Sequence, residues 1–384
     1  MTASLPAAPV DRRRGAGESR GVSADAIDRI DTFPLRIPFR AGPGEPARPP
    51  VDSLLVRVTT AAGLHGWGEA FGFEATPVTR RAVHDLVAPL CAGRDPAPDG
   101  PLMSEIQRKL QVFGRGGIVL HALSAVDTAL WDIRGKAAGL PVRDLLGGGA
   151  ASLPCYASLD PYGDAAAVRG AVRRAVDAGF GGVKLHERDV AAVRAAREEA
   201  GPGTALMADV NCPWTYSEAL DAAGRLRGLR LAWLEEPLWP PEDYAGLARL
   251  RAAGGIPLAA GENAGTPLDL GRLMDAVDVV QPSPAKMGGV TGLREVFRAA
   301  ADRDATVVPH TFYHGPGLLA AVHVTAALGG HGSLGALVEW RCSDLEAFPY
   351  GAALLPDRGR IGVPGGPGLG LDPDPDVLRA FQPG

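Results

Sequence analysis

Three short apolar runs, each closing on an acid, constrain the fold of this chain more than any other feature. They are Ala205-Leu206-Met207-Ala208-Asp209-Val210-Asn211, Leu231-Ala232-Trp233-Leu234-Glu235-Glu236-Pro237 and Ile256-Pro257-Leu258-Ala259-Ala260-Gly261-Glu262-Asn263. The acids Asp209, Glu235 and Glu262 stand 26 and 27 residues apart. A strand, a turn, a helix and a second turn consume roughly 30 residues in a βαβ unit. The spacing therefore puts the three acids at the same end of three successive parallel strands. Any one of them alone reads as a surface acid at a strand end. Three on one rim repel each other unless a cation lies between them, and hard oxygen donors suit Mg²⁺, with Mn²⁺ as a substitute.

The same rhythm extends in both directions. From Pro154 the chain reads as βα repeats, with strands at Cys155 to Leu159, Gly182 to His186, Ala205 to Asn211, Leu231 to Glu235, Pro257 to Gly261, Val277 to Pro282, Thr306 to His310 and Ala336 to Trp340. Helical patterns lie between them, such as Ala165 to Ala178 with Val168, Val172 and Val176 at i, i+4 and i+8. Eight strands alternating with helices fit a (β/α)₈-type barrel. An open doubly wound sheet is the alternative. It is weakened because no Gly-x-Gly-x-x-Gly or Walker loop follows any strand.

Before the barrel the pattern differs. Strands at Ile30 to Ile37, Ser53 to Thr60 and Gly66 to Ala70 read as an antiparallel meander. Helices at Arg80 to Leu90, Ser104 to Phe113 and His121 to Ala138 follow, the last closed by Gly139-Leu140-Pro141. This divides the chain into a mobile tail (1–24), an α+β domain (25–150), the barrel (151–345) and a Pro/Gly-rich segment (346–384) that folds back over the first domain. With 384 residues, two domains are expected. The net charge of −5 argues against nucleic acid and against a basic membrane patch. No apolar run approaches a membrane span. No apolar core follows Arg12-Arg13-Arg14, so no secretory signal is read and a cytoplasmic location is expected. Cys91, Cys155, Cys212 and Cys342 lack Cys-x-x-Cys spacing and read as reduced, packed thiols.

In such a barrel, chemistry sits at the C-terminal strand ends. The second strand ends Lys184-Leu185-His186, and period two turns both charged side chains into the mouth. An ammonium beside an imidazole disfavours a second positive charge, so His186 is expected neutral and available as a base. Asp209 and Asn211 share a face, with Asn211 as an outer-shell or substrate contact. Of Glu235-Glu236 only one can face inward, and Glu235 is taken as the ligand. His310, at the end of the seventh strand, is placed as a second acid or base. His314 reads as packing more than as pocket lining, and His323, in an apolar helical run, as packing. Glu339, at the end of the eighth strand, hydrogen-bonds a developing enolate oxygen if protonated and is otherwise a supporting acid.

Gly66-Trp67-Gly68-Glu69, Ala125-Val126-Asp127-Thr128-Ala129-Leu130-Trp131-Asp132, Glu235-Glu236-Pro237, Gly261-Glu262-Asn263 and Lys286-Met287-Gly288-Gly289 form a specific set. With it the chain resembles the mandelate racemase and muconate lactonizing enzyme branch of the enolase superfamily, over nearly all its length beyond the tail. The resemblance implies a modified (β/α)₇β TIM-like barrel with an α+β capping domain and Mg²⁺ on Asp209, Glu235 and Glu262. It also implies removal of a proton alpha to a substrate carboxylate, with charge stabilised by the metal. Two departures bear on the reaction. The family often carries Lys-x-Lys on the second strand, where this chain has His186. The racemase-like subgroup pairs an Asp on the sixth strand with the seventh-strand His, and the lactonizing subgroup has Lys at that Asp position; here it is Ser283. Glu339 matches the position of the enediolate-stabilising Glu of mandelate racemase. Specificity in the family comes from capping-domain loops, so Arg40, Arg48 and Arg81 are candidates to receive an acid substrate. The reading is a Mg²⁺-dependent dehydratase of a hydroxylated carboxylate, most simply a sugar acid, acting through Lys184, His186, His310 and Glu339. A racemase, epimerase or cycloisomerase is the alternative, and a non-catalytic homologue binding acidic metabolites the third. A homo-oligomer is expected.

Overall fold

A computed structural model of the chain describes residues 25–40 and 48–383. The stretch read as a tail, and most of the Pro/Gly loop after Arg40, lie outside the described residues. Strands β1 (Ile27–Ile37), β2 (Val51–Thr60) and β3 (His65–Ala70) pair antiparallel in chain order. Helices α1 (Thr76–Ala82), α2 (Ala88–Cys91), α3 (Leu102–Leu110), α4 (Gly117–Ala138) and α5 (Val142–Leu145) follow. The sheet lies directly on the α4 backbone. A Cβ added at Gly66 would stand 2.2 Å from the Ala129 carbonyl oxygen, and one at Gly68 would stand 1.8 Å from that of Ala125. The glycines around Trp67 are thus there for close approach.

Helix α4 is also the strut between cap and barrel. Ser124 Oγ accepts from the Gly288 N–H at 2.8 Å and Asp127 Oδ2 from that of Thr291 at 2.9 Å. Both N–H groups belong to the first turn of a barrel helix, where they have no partner of their own. Asp132 accepts from the Trp67 N–H at 2.9 Å and the Leu369 N–H at 2.7 Å. One buried run of α4 therefore fastens the cap sheet, the barrel and the C-terminal segment together.

The barrel strands are β4 (Ser152–Ser158), β5 (Gly182–Leu185), β6 (Ala205–Asp209), β7 (Trp233–Glu235), β8 (Leu258–Ala260), β9 (Val279–Val280), β10 (Thr306–Val307) and β11 (Val338–Arg341). Helices α6 (Ala165–Asp177), α7 (Val190–Ala200), α8 (Tyr216–Leu226), α9 (Tyr244–Gly254), α10 (Pro267–Leu273), α11 (Gly289–Ala301) and α12 (Pro316–Leu328) separate them. All eight strands are parallel, β4 to β10 pair in chain order, and the last, β11, pairs with the first. Seven helices between eight strands make this a (β/α)₇β barrel, and the wrap-around pairing removes the open doubly wound alternative. Several ladders are shorter than the apolar runs suggested. Pro282, Pro284 and Pro309 have no N–H to donate, so the sixth and seventh strands continue only as single bonds from Val308 to Val280 and from His310 to Pro282. Among the described residues no ladder joins β10 to β11. There, the Thr311 N–H and hydroxyl bond to Glu339 instead.

Tyr156, Met207, Trp233, Ala259, Val279 and Val308 fill the barrel interior. Val168 and Val172 of α6 are buried in the larger layer between strands and helices, as their spacing requires. After β11 the chain forms β12 (Arg360–Gly362), antiparallel to β4, and α13 (Pro375–Ala380). Leu345 and Leu378 pack with Leu35, Ile37, Leu55 and Trp67 of the cap, and the Arg36 N–H donates to Phe381. Among the described residues no helix is long and apolar enough to cross a membrane.

Candidate metal centre and flanking histidines

Asp209 is the last residue of β6 and Glu235 the last of β7, and the parallel ladder sets them directly side by side. Glu262 lies two residues beyond β8, after Gly261 at φ 139°, where an added Cβ would meet the Gln281 nitrogen at 2.9 Å. The left-handed backbone at this glycine turns the chain so that Glu262 joins the other two. One oxygen from each acid lies within 4.8 Å of the others, a group that could hold a metal ion. Glu235 Oε2 is fixed by Trp233 Nε1 and Gln281 Nε2, each at 2.8 Å.

Lys184, fully buried, points into the same cluster. Its Nζ lies 2.7 Å from Glu235, 2.9 Å from Glu339 and 3.2 Å from Asp209. Lys286 Nζ stands 3.7 Å from Glu262. Four acid side chains thus crowd around two ammonium groups. Burial raises the Asp209 carboxyl, but the Lys184 ammonium together with the His186 imidazole outweighs it and holds it down at about 2. Burial, and then the Asp209 charge, push Glu235 well above the usual carboxylate range. Crowding of this kind is what a divalent cation relieves.

The two histidines reach the cluster from opposite strands. His186 Nδ1 donates to the Leu159 carbonyl, which leaves Nε2 facing Asp209 at 3.3 Å. His310 Nε2 faces Glu262 at 2.7 Å. Phe312 packs against both, its centroid 6.2 Å from each imidazole. The direction expected for the His186 pKa is reversed. Burial and Lys184 lower it, but the hydrogen bond and charge of Asp209, with the Leu159 carbonyl, outweigh them and it is raised. Lys184 repels His186 less than expected because three acids already surround it. Of the two roles read for Glu339, the supporting acid is favoured: burial raises its pKa, but Lys184, His310 and the Thr311 N–H bring it down.

Other expectations divide. Glu236 sits behind the cluster, accepting from Cys212, Asn263 and the Gly261 N–H. The Asn211 side chain is exposed; its backbone N–H serves Asp209, because β6 ends at Asp209 and Asn211 is at φ 51°. Period two does not survive the end of a strand. Ser283 faces Tyr313, whose hydroxyl lies 3.1 Å from Ser283 Oγ and donates to the His310 carbonyl at 3.2 Å. His310 Nδ1 has no partner among the described residues. His314 is buried edge-on to Trp340 and Phe348, and burial drives its pKa down to about 3. His323 accepts from the Arg143 N–H and donates to the Leu369 carbonyl, a packing role. Arg81 is 77% exposed beside Asp85, and Arg40 is 61% exposed beside Asp344. Neither lines the mouth, whereas Arg48 does. Sequence reasoning missed Phe312, Tyr313 and Arg341. Arg341 was within reach, since it stands two residues after Glu339 on β11 and so shares its face.

The family model for "Mandelate racemase / muconate lactonizing enzyme, N-terminal domain" matches residues 38–147, and that for "Enolase C-terminal domain-like" matches residues 167–377. The chain belongs to the mandelate racemase and muconate lactonizing enzyme family. Within this family it is 30% identical over 348 residues to the arabinonate dehydratase of Saccharolobus solfataricus, covering 88% of this chain and 92% of that one. The crystal structure of the 3,6-anhydro-D-galactonate cycloisomerase from Zobellia galactanivorans superposes with a TM-score of 0.82 at 28% identity, covering 94% of this chain and all of that one. A family protein from Paracoccus denitrificans, crystallised with magnesium, superposes at 0.81 with 29% identity, covering 93% and 98%.

Proposed function

We propose that this chain holds Mg²⁺ on Asp209, Glu235 and Glu262 and dehydrates a sugar acid. The observation that carries the reading is the placement of His186 and His310. Each touches a different acid of the cluster, so a carboxylate substrate bound there has an imidazole on either side. The donor set fits the ion: three hard oxygens, one from each acid, converge within 4.8 Å of one another. Bound there, the cation supplies positive charge against a substrate carboxylate whose neighbouring C–H bond is breaking.

The protein's own groups do the rest. One histidine takes the alpha proton, and the other protonates the beta-hydroxyl, which leaves as water; the enol then becomes the 2-keto-3-deoxy acid. The Leu159 carbonyl orients His186, and Tyr313 holds the His310 backbone in place of an orienting acid on the sixth strand. Lys184 keeps the carboxylates in register and is itself held by Glu339. The arabinonate dehydratase relative supports dehydration. The cycloisomerase neighbour, together with Ser283 where a dyad acid is absent, favours cycloisomerisation as the second reading. A screen of aldonic and aldaric acids and their lactones with the Mg²⁺-loaded protein separates them. The expected product is lighter than its substrate by one water. A product of unchanged mass would overturn dehydration in favour of isomerisation.

A further inference from the structure

A cavity of about 410 Å³ lies between cap and barrel, and Phe312, Arg341 and Arg48 all line it. The guanidinium of Arg341 packs over the Phe312 ring, Cζ 3.7 Å from the centroid, and the same ring is 6.2 Å from the imidazoles of both His186 and His310. Arg341 is 8% exposed, and its acid partner, Asp160, is distant at 3.5 Å. Asp160 is already engaged by Arg48 at 2.9 Å and lies 3.4 Å from the Ser343 hydroxyl. One carboxylate thus serves two guanidinium groups. Arg341 Nε has no hydrogen-bond partner among the described residues. The other acids lining the cavity do not meet this need. Glu69 is taken by Ser53 and the Gly317 N–H, Asp52 faces Arg36 at 3.6 Å, and Glu74 is on the exposed rim.

A buried guanidinium that shares its acid with a second arginine and has an unmet donor is costly unless a ligand completes it. Its planar fork, braced on an aromatic face, matches a carboxylate in two-point contact. We propose that Arg341, backed by Arg48, receives the second carboxylate of a sugar diacid, at the end of the substrate remote from the reacting carbon. The inference rests on the reading of the acid cluster as the reacting end, and it narrows the substrate class from sugar acids to aldaric acids and their ring-closed forms.

The test uses the full-length Mg²⁺-loaded protein and matched pairs of aldarates and aldonates, which differ only in whether the far end is a carboxylate or a hydroxymethyl group. Affinity is read by calorimetry, and turnover separately. The best aldarate is expected to bind at least about tenfold more tightly than its aldonate, in line with a charge-assisted two-point contact. Arg341→Gln is expected to erase that preference, chiefly through KM where there is turnover, and Arg341→Lys to keep part of it. Arg48→Gln, at a position 38% exposed, guards against a folding failure at Arg341 and is expected to reduce the preference more mildly. Aldonates bound as well as aldarates, or a preference that survives Arg341→Gln, would overturn the proposal. Tight aldarate binding without turnover would leave it standing and count against the dehydratase reading alone.

Discussion

His186 and His310 approach the acid cluster through different carboxylates, so neither can stand in for the other. In the proposed dehydration, removing either leaves the acid cluster in place and takes away one of two proton transfers. His186→Ala and His310→Ala are each expected to lower kcat by about 10²-fold or more while Mg²⁺ binding by calorimetry persists. Near-normal turnover in either variant would remove that histidine from the mechanism. Asp209, Glu235 and Glu262 were legible because strand ends in a βα repeat are set by local spacing. The direction of the His186 pKa shift was not, because it depends on what surrounds Lys184, and those acids come from three other strands. Asn211 was misplaced for a different reason: alternation holds only while the strand lasts, and β6 stops two residues earlier.

Elements rather than single residues decide how the cap is held over the mouth. The Glu69 carboxylate lies against the N-terminus of α12, accepting from the Gly317 N–H at 3.0 Å, with Ser53 on its other oxygen. A helix N-terminus favours the anion, but burial wins and pushes Glu69 up to about 7. The ordinary glutamate value is about 4.3. Between the two values the folded protein keeps a proton that the unfolded chain has released. Stability from this group is therefore full at acid pH and falls as pH rises through that window. Glu69→Gln cannot release a proton, so the fall in Tm between about pH 4.3 and 7 should flatten. A residual slope is expected from Asp127, also pushed up to about 7 by burial at the first turn of α11. An unchanged slope would mean that Glu69 titrates normally. The sequence made the helices and the meander visible through their periodicities. It did not show why Gly66, Gly68, Asp127 and Asp132 recur in those runs. Their reasons are contacts with α4, with α11 and with the C-terminal segment, each far away in sequence.

The whole molecule is a (β/α)₇β barrel whose mouth is roofed by the antiparallel sheet and by the segment after β11. Barrel order followed from the repeat length alone, since parallel neighbours joined by one helix each have little other way to close. The seam between β10 and β11, Phe312 and the cavity it lines belong largely to loops, which carry no period to read. The account stands on one claim, that the acid cluster with its ion loosens a C–H bond next to a carboxylate. The direct measurement is ²H NMR of aldaric and aldonic acids deuterated at the alpha carbon, incubated with the protein with and without Mg²⁺. The account predicts loss of label to solvent that requires Mg²⁺ and is lost in Glu262→Gln. Label fully retained while Mg²⁺ and the acid are both bound would contradict it.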